Sequence, residues 1–148
     1  MSLTITPLRP EDRSDWEALF RAYAAFYATD ARAAEAEVWR WIHDPAEPYW
    51  ADIARDAESG APLGLVQYSE LHRSLSGAKT IYLSDLFTPP EARGRGVGRA
   101  LIDHVRTFAR AGGYASLRWL THEGNAAARA LYDSYAPTSG FILYSIAP

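Results

Sequence analysis

Apolar and polar positions alternate from the start of the chain: Leu3-Thr4-Ile5-Thr6 runs into Pro7-Leu8, the period of a strand over Leu3 to Leu8. Pro10 and Glu11 then open a helical stretch through about Tyr27. Its residues Trp16, Leu19, Phe20, Tyr23, Phe26 and Tyr27 recur at three- and four-residue spacing and so share one helix face. A second helix is predicted from Ala33 to Ile42, ending before Asp44-Pro45. Tyr49 to Arg55 and Pro62 to Leu71 read as two strands joined by the turn-rich Ala57-Glu58-Ser59-Gly60, and Ile81 to Thr88 as a third strand of this meander, stopped by Pro89-Pro90. From Gly96 to Ala111 the period changes. Val97, Ala100, Leu101, Val105, Phe108 and Ala109 fall on one helical face, and Gly112-Gly113 ends it. Ser116 to Thr121 is a further predicted strand, Asn125 to Tyr135 a helix, and Phe141 to Ile146 a closing strand.

Strands dominate first, then β-α-β-α-β, which implies an α/β chain with one mixed sheet and helices packed on it. No repeat, low-complexity tract or linker divides the chain, so a single domain over residues 1–148 is expected. At 48% hydrophobic and 22% charged residues the composition is that of a soluble globular protein. A net charge of −3 supplies no basic field, so nucleic acid is not the expected partner. There are no cysteines, which excludes disulfides, a thiolate nucleophile and a cysteine-based metal site. His43, His72, His104 and His122 are scattered, none at metal-ligand spacing, so no metal is expected. Met1 to Pro10 lacks a signal-peptide layout, and no apolar run approaches the roughly 18 residues of a membrane span. The expected location is cytoplasmic, with no membrane partner.

The strongest chemical signal lies between the strand ending at Thr88 and the helix beginning near Val97, in Arg93-Gly94-Arg95-Gly96-Val97-Gly98. Glycines at alternate positions let the backbone turn tightly and let a ligand approach its N–H groups. Because the turn opens a helix, unpaired N–H groups and the positive end of the helix dipole meet there, which makes an anion site suited to a diphosphate. Arg93, Arg95 and Arg99 add positive charge. A P-loop is excluded because Gly98 is followed by Arg99-Ala100 rather than Lys-Ser/Thr. A dinucleotide fingerprint is excluded because the spacing is G-x-G-x-G, late in the chain.

This loop resembles the Arg/Gln-x-x-Gly-x-Gly/Ala pyrophosphate loop of the GCN5-related N-acetyltransferases. Leu83-Ser84-Asp85-Leu86-Phe87-Thr88-Pro89 is similar to the bulged strand that leads into that loop. Asn125-x-x-Ala128-x-x-Leu131-Tyr132, followed by Gly140-Phe141, is similar to the family's later signature. Trp119 to Asn125 and Phe141 to Tyr144 resemble the subgroup of histone, polyamine and D-amino acid acetyltransferases. The resemblance implies an acyl-CoA N-acyltransferase fold with a mostly antiparallel central sheet and flanking helices. It also implies acetyl-coenzyme A as cosubstrate and a small amine, amino acid or lysine side chain as acceptor.

Carried over position by position, the resemblance gives the amides of Gly94, Arg95, Gly96, Val97, Gly98 and Arg99, beside Arg93, to the coenzyme diphosphate. It gives the backbone of Leu86, Phe87 and Thr88 to the pantetheine arm, with an N–H of Leu86 or Phe87 at the developing oxyanion. Asn125 is assigned to the pantetheine, and Tyr132 to the sulfur as the acid that protonates the departing thiolate. An amine must lose a proton to attack. Glu70 and Asp85 on adjacent strands, and His72, are the candidates for taking it. Related polyamine enzymes carry Glu-Asp where this chain has Ser84-Asp85, which weakens a polyamine reading and favours Asp85 as the group that meets the amine. Aromatic residues of the first two helices, with Trp39, Trp41 and Trp50, serve either as core or as an acceptor wall. The subgroup also implies a homodimer joined through Phe141 to Ile146. Two other readings stay open: a catalytically silent acetyl-CoA sensor, and an anion-binding interaction protein.

Overall fold

Leu3 and Ile5 are half-buried while Thr4 faces out, so the opening alternation becomes strand β1 (Leu3–Pro7). The computed structural model describes residues 2–148, and Met1 lies outside them. A single 3₁₀ turn at Pro10–Asp12 leads into α1 (Arg13–Phe26). Proline suits that position because its missing N–H would have no partner in a first turn. α1 buries Trp16, Leu19 and Phe20 of the predicted stripe together with Ala24, whereas Phe26 and Tyr27, at its end, are exposed. α2 (Glu35–His43) is tied to it by two hydrogen bonds from Arg21 to Glu35, at 2.6 and 2.8 Å, and by Trp39 against Trp16 at 5.0 Å between rings.

Then come β2 (Tyr49–Asp56), β3 (Pro62–Arg73), β4 (Ala78–Phe87), α3 (Val97–Ala111), β5 (Leu117–Trp119) and α4 (Ala126–Asp133). The sheet order is β1-β2-β3-β4-β5. The first three pairings are antiparallel and β4–β5 is parallel, the connection running through α3. The mixed sheet with flanking helices is therefore present, and it is antiparallel except at one edge.

Strand alternation divides the core between the two faces. On one face Ile53, Leu65 and Phe87 pack with Trp16, Leu19, Phe20 and Val38 of the first two helices. On the other, Val66, Tyr68, Ile81 and Leu83 pack with Val97, Leu101, Ile102 and Val105 of α3. α3 comes so close to β3 that a Cβ on Gly64 would lie 2.8 Å from Val97 Cγ1 and 3.1 Å from the Phe87 carbonyl oxygen.

One predicted element is absent. Phe141 to Ile146 forms no strand: residues 136–148 carry no regular structure, with Phe141 83% and Tyr144 82% exposed. A strand needs a neighbour, and among the described residues none pairs with this segment. β5 is also shorter than the predicted Ser116 to Thr121, because β4 meets it over only three residues.

Candidate active site

The parallel register is Ile81↔Leu117, Tyr82↔Arg118 and Leu83↔Trp119, and there it stops. β4 continues through Phe87 with β3 on one side and no strand on the other. At the same point the pairing with β3 steps from Tyr68↔Leu83 to Gln67↔Asp85, which leaves Ser84 as an extra residue in a bulge. A bulge re-aims the side chains around it. The result is an open backbone edge over Asp85, Leu86 and Phe87, beside which the chain enters the glycine turn.

Asp85 sits in that bulge, half-buried on the α1 face. Gln67 Nε2 donates to its Oδ2 at 2.8 Å and Ser84 Oγ at 3.2 Å. Burial, reinforced by the Asp85 charge, holds the proton of Tyr23, from α1, far above the ordinary phenol range. Tyr49 and Tyr82 are raised in the same way, by burial first and then by the Asp85 charge. Among the described residues no arginine, lysine or histidine forms an ion pair with Asp85. It is a carboxylate held by neutral donors.

Tyr132, on α4, packs edge-on to Trp119 at 5.5 Å between ring centroids. Burial raises its phenol pKa, and Tyr27 adds to the effect. Tyr27 stands edge-on to Tyr23 at 5.2 Å, and Tyr132 in turn contributes to the field at Tyr23.

The turn itself is shaped for close approach. Gly94 and Gly96 have φ of +73° and +78°, a conformation that side chains rarely adopt, and a Cβ on either would meet nothing within 4 Å. Gly96 is the N-cap of α3, and Ala100 N–H bonds back to its carbonyl at 3.0 Å. The amides of the first helical turn have no carbonyl one turn earlier within the helix and project from its end. The arginines brace the turn. Arg93 Nε donates to the Thr88 carbonyl at 3.0 Å with its guanidinium over Phe26, Arg95 lies 3.9 Å from Asp56, and Arg99 donates to Ser134 Oγ at 2.8 Å.

Other sequence candidates are placed differently. Glu70 points to the α3 face, where Tyr114 Oη donates to it at 2.9 Å and Lys79 Nζ lies at 3.5 Å. Strand alternation puts it on the side opposite Gln67 and Asp85, so the two carboxylates do not converge. His72 is exposed near the end of β3. Asn125 is the N-cap of α4: its Oδ1 accepts from Ala128 N–H at 3.3 Å, and its Nδ2 donates to Thr121 Oγ1 at 3.3 Å. Trp50 stacks on Tyr68 and lies tilted against Phe108, whereas Trp41 lies edge-on to Tyr49 at 5.5 Å. Sequence reasoning passed over Gln67 and Tyr49. The signal for Gln67 was available, since it is the one amide in the apolar run Leu63-Gly64-Leu65-Val66-Gln67-Tyr68.

Residues 16–135 match the sequence pattern of the acetyltransferase (GNAT) family. The chain belongs to that family. This acetyltransferase is 30% identical over 144 residues to the D-amino-acid N-acetyltransferase HPA3 of Saccharomyces cerevisiae, across 96% of this chain and 89% of the yeast protein. It is 29% identical over 148 residues to the uncharacterized N-acetyltransferase YhfO of Bacillus subtilis, covering 97% of each chain. Among solved structures it superposes on AAC(6')-Iy, crystallised with the bisubstrate analog CoA-S-monomethyl-acetylneamine, with a TM-score of 0.85 at 16% identity, over 100% of this chain and 99% of that one. Enzymes of this family are acyltransferases that use acetyl-CoA. The residues of this acetyltransferase fit such a molecule. The open edge of β4 suits an extended pantetheine arm, and the left-handed glycines at the start of α3 leave room for a diphosphate against main-chain N–H groups. Among the described residues no helix is long and apolar enough to cross a membrane.

Proposed function

We propose that this acetyltransferase passes an acetyl group directly from acetyl-coenzyme A to a primary amine, with Asp85 meeting the amine and Tyr132 serving as the acid. The observation that carries this reading is the pairing, around one opened strand edge, of a carboxylate without a cation partner and a phenol whose proton is firmly held. The thioester supplies an activated acetyl group, whose C–S bond breaks as the amide C–N bond forms. Asp85 attracts the ammonium form of the acceptor and takes, at a carboxylate oxygen, the proton that the nitrogen must lose. Tyr132 gives its Oη proton to the leaving sulfur. The N–H of Leu86 or Phe87 carries the developing oxyanion. The amides from Gly94 to Arg99 hold the diphosphate, with Arg93 bracing the turn. Asn125 acts through the start of α4, which it caps and which carries Tyr132.

The acceptor class is a small cationic amine, an amino acid or a lysine side chain. An unpaired carboxylate among Tyr23, Tyr49 and Tyr82 supports a compact ammonium group with an apolar or aromatic neighbour. The 30% identity to a D-amino-acid N-acetyltransferase brings D-amino acids into the same class. The working form in this reading is a homodimer. A groove of about 390 Å³ beside β5, lined by Ile102, Leu117, Trp119 and Tyr135, adjoins a free strand edge, and the exposed Phe141 to Ile146 of a second copy would pair there.

Calorimetric titration with acetyl-CoA, followed by thiol release across a panel of amines, tests the proposal. Micromolar binding that is lost in Gly96→Asp, and turnover with cationic primary amines, are expected. Folded wild-type protein that binds no acetyl-CoA would end the reading.

A further inference from the structure

The mechanism above does not use two of the most deeply buried polar side chains in the molecule. Gln67 and Trp16 are both 0% exposed, and they form a directed chain that ends on Asp85. Trp16 Nε1 donates to Gln67 Oε1 at 2.8 Å, and Gln67 Nε2 donates to Asp85 Oδ2 at 2.8 Å. An indole N–H only donates and a carboxylate only accepts, so both ends force one orientation on the amide. β3 fixes Gln67 from below by pairing it with Asp85 across the bulge. Trp16 is fixed in turn by stacking on Phe20 at 5.0 Å and by Trp39 at 5.0 Å.

We infer that Gln67, oriented by Trp16, is a positioning residue that holds the Asp85 carboxylate toward the acceptor amine; this rests on the reading of Asp85 given above. An amide there has a use that packing does not require. An apolar side chain would fill the same space in the core, but it would leave the indole N–H unpaired and the carboxylate held only by the longer bond from Ser84. Gln67 secures one carboxylate oxygen with a neutral donor and adds no positive charge to compete with an ammonium ion. The Asp85 charge acts on Tyr23 from α1, Tyr49 from β2 and Tyr82 from β4, and no cation pairs with it among the described residues.

The test is the pH dependence of kcat/KM for one fixed acceptor, measured in wild type, Gln67→Glu and Asp85→Asn. Gln67→Glu keeps an acceptor for Trp16 but sets a second carboxyl against Asp85. The two then share a proton, and one of them is protonated to higher pH. The acid limb of the profile should move upward by about one pH unit or more, with acetyl-CoA affinity unchanged. A Gln67→Glu profile that superimposes on wild type, while Asp85→Asn is inactive, overturns the inference and leaves the role of Asp85 standing. Full activity in Asp85→Asn overturns both. Trp16→Phe keeps an aromatic group, smaller than the indole, and removes the donor, and it decides the matter should Gln67→Glu fail to fold. A drop in kcat of about tenfold at unchanged KM for acetyl-CoA is expected from the loosened carboxylate, and wild-type kcat overturns the inference.

Discussion

Tyr132 shows how much a single residue depends on its surroundings. A phenol has a pKa near 10 in water, and burial beside Trp119 raises it further, because the phenolate is the form that loses hydration. The proton is therefore retained across and above the neutral range. Tyr132→Phe should bind acetyl-CoA as tightly as wild type and lose about 10²- to 10⁴-fold in kcat, read by thiol release. In wild type, the loss of activity from deprotonating this group should begin only above the usual phenol range. A Tyr132→Phe enzyme with full turnover at neutral pH would remove the residue from the mechanism. Asn125-x-x-Ala128-x-x-Leu131-Tyr132 singles Tyr132 out as a candidate, whereas the influence of Tyr27, brought from the end of a much earlier helix, was not legible there.

At the scale of elements, the place of the glycine turn depends on the height at which α3 begins above β3. Gly64 sets that height, since a Cβ there would lie 2.8 Å from Val97 Cγ1, 3.0 Å from Leu101 Cδ1 and 3.1 Å from the Phe87 carbonyl. The side-chain tips can yield more easily than the carbonyl, which belongs to the paired backbone of β4. Gly64→Ala should lower unfolding free energy by about 1–3 kcal/mol in urea titrations and weaken acetyl-CoA binding, since the displaced helix start carries the amides. Unchanged stability and affinity would show that α3 is not seated by this contact. Helix and strand periods located the start and end of most elements to within a few residues. They overextended β5 because the length of a strand depends on how far its neighbour stays beside it. That distance is set at the Ser84 bulge, which has no period.

For the whole molecule, the open question is posed by its last residues. Phe141, Ile142, Leu143, Tyr144 and Ile146 are all exposed, beside a chain whose other large apolar groups are mostly covered. In the proposed dimer the exposed apolar segment of one copy would meet the unpaired β5 edge of the other, in a closed two-fold arrangement. The full chain should sediment as a dimer, and a chain ending after Gly140 as a monomer. A truncated chain that remains dimeric would assign the interface elsewhere.

What the sequence determined by itself is whatever is carried by local period and local chemistry. This includes the helices, the meander, and the glycine turn that only left-handed backbone and a helix start can make. It also includes the motifs that mark the family. Tertiary structure decided which of those residues meet. Glu70 and Asp85 lie on neighbouring strands in both descriptions, yet the pleat sends Glu70 to Tyr114 and Lys79 and leaves Asp85 to Gln67 and Tyr23. The closing strand was legible as a strand-forming sequence, but a strand exists only where another backbone offers it hydrogen bonds, and one chain does not offer them there.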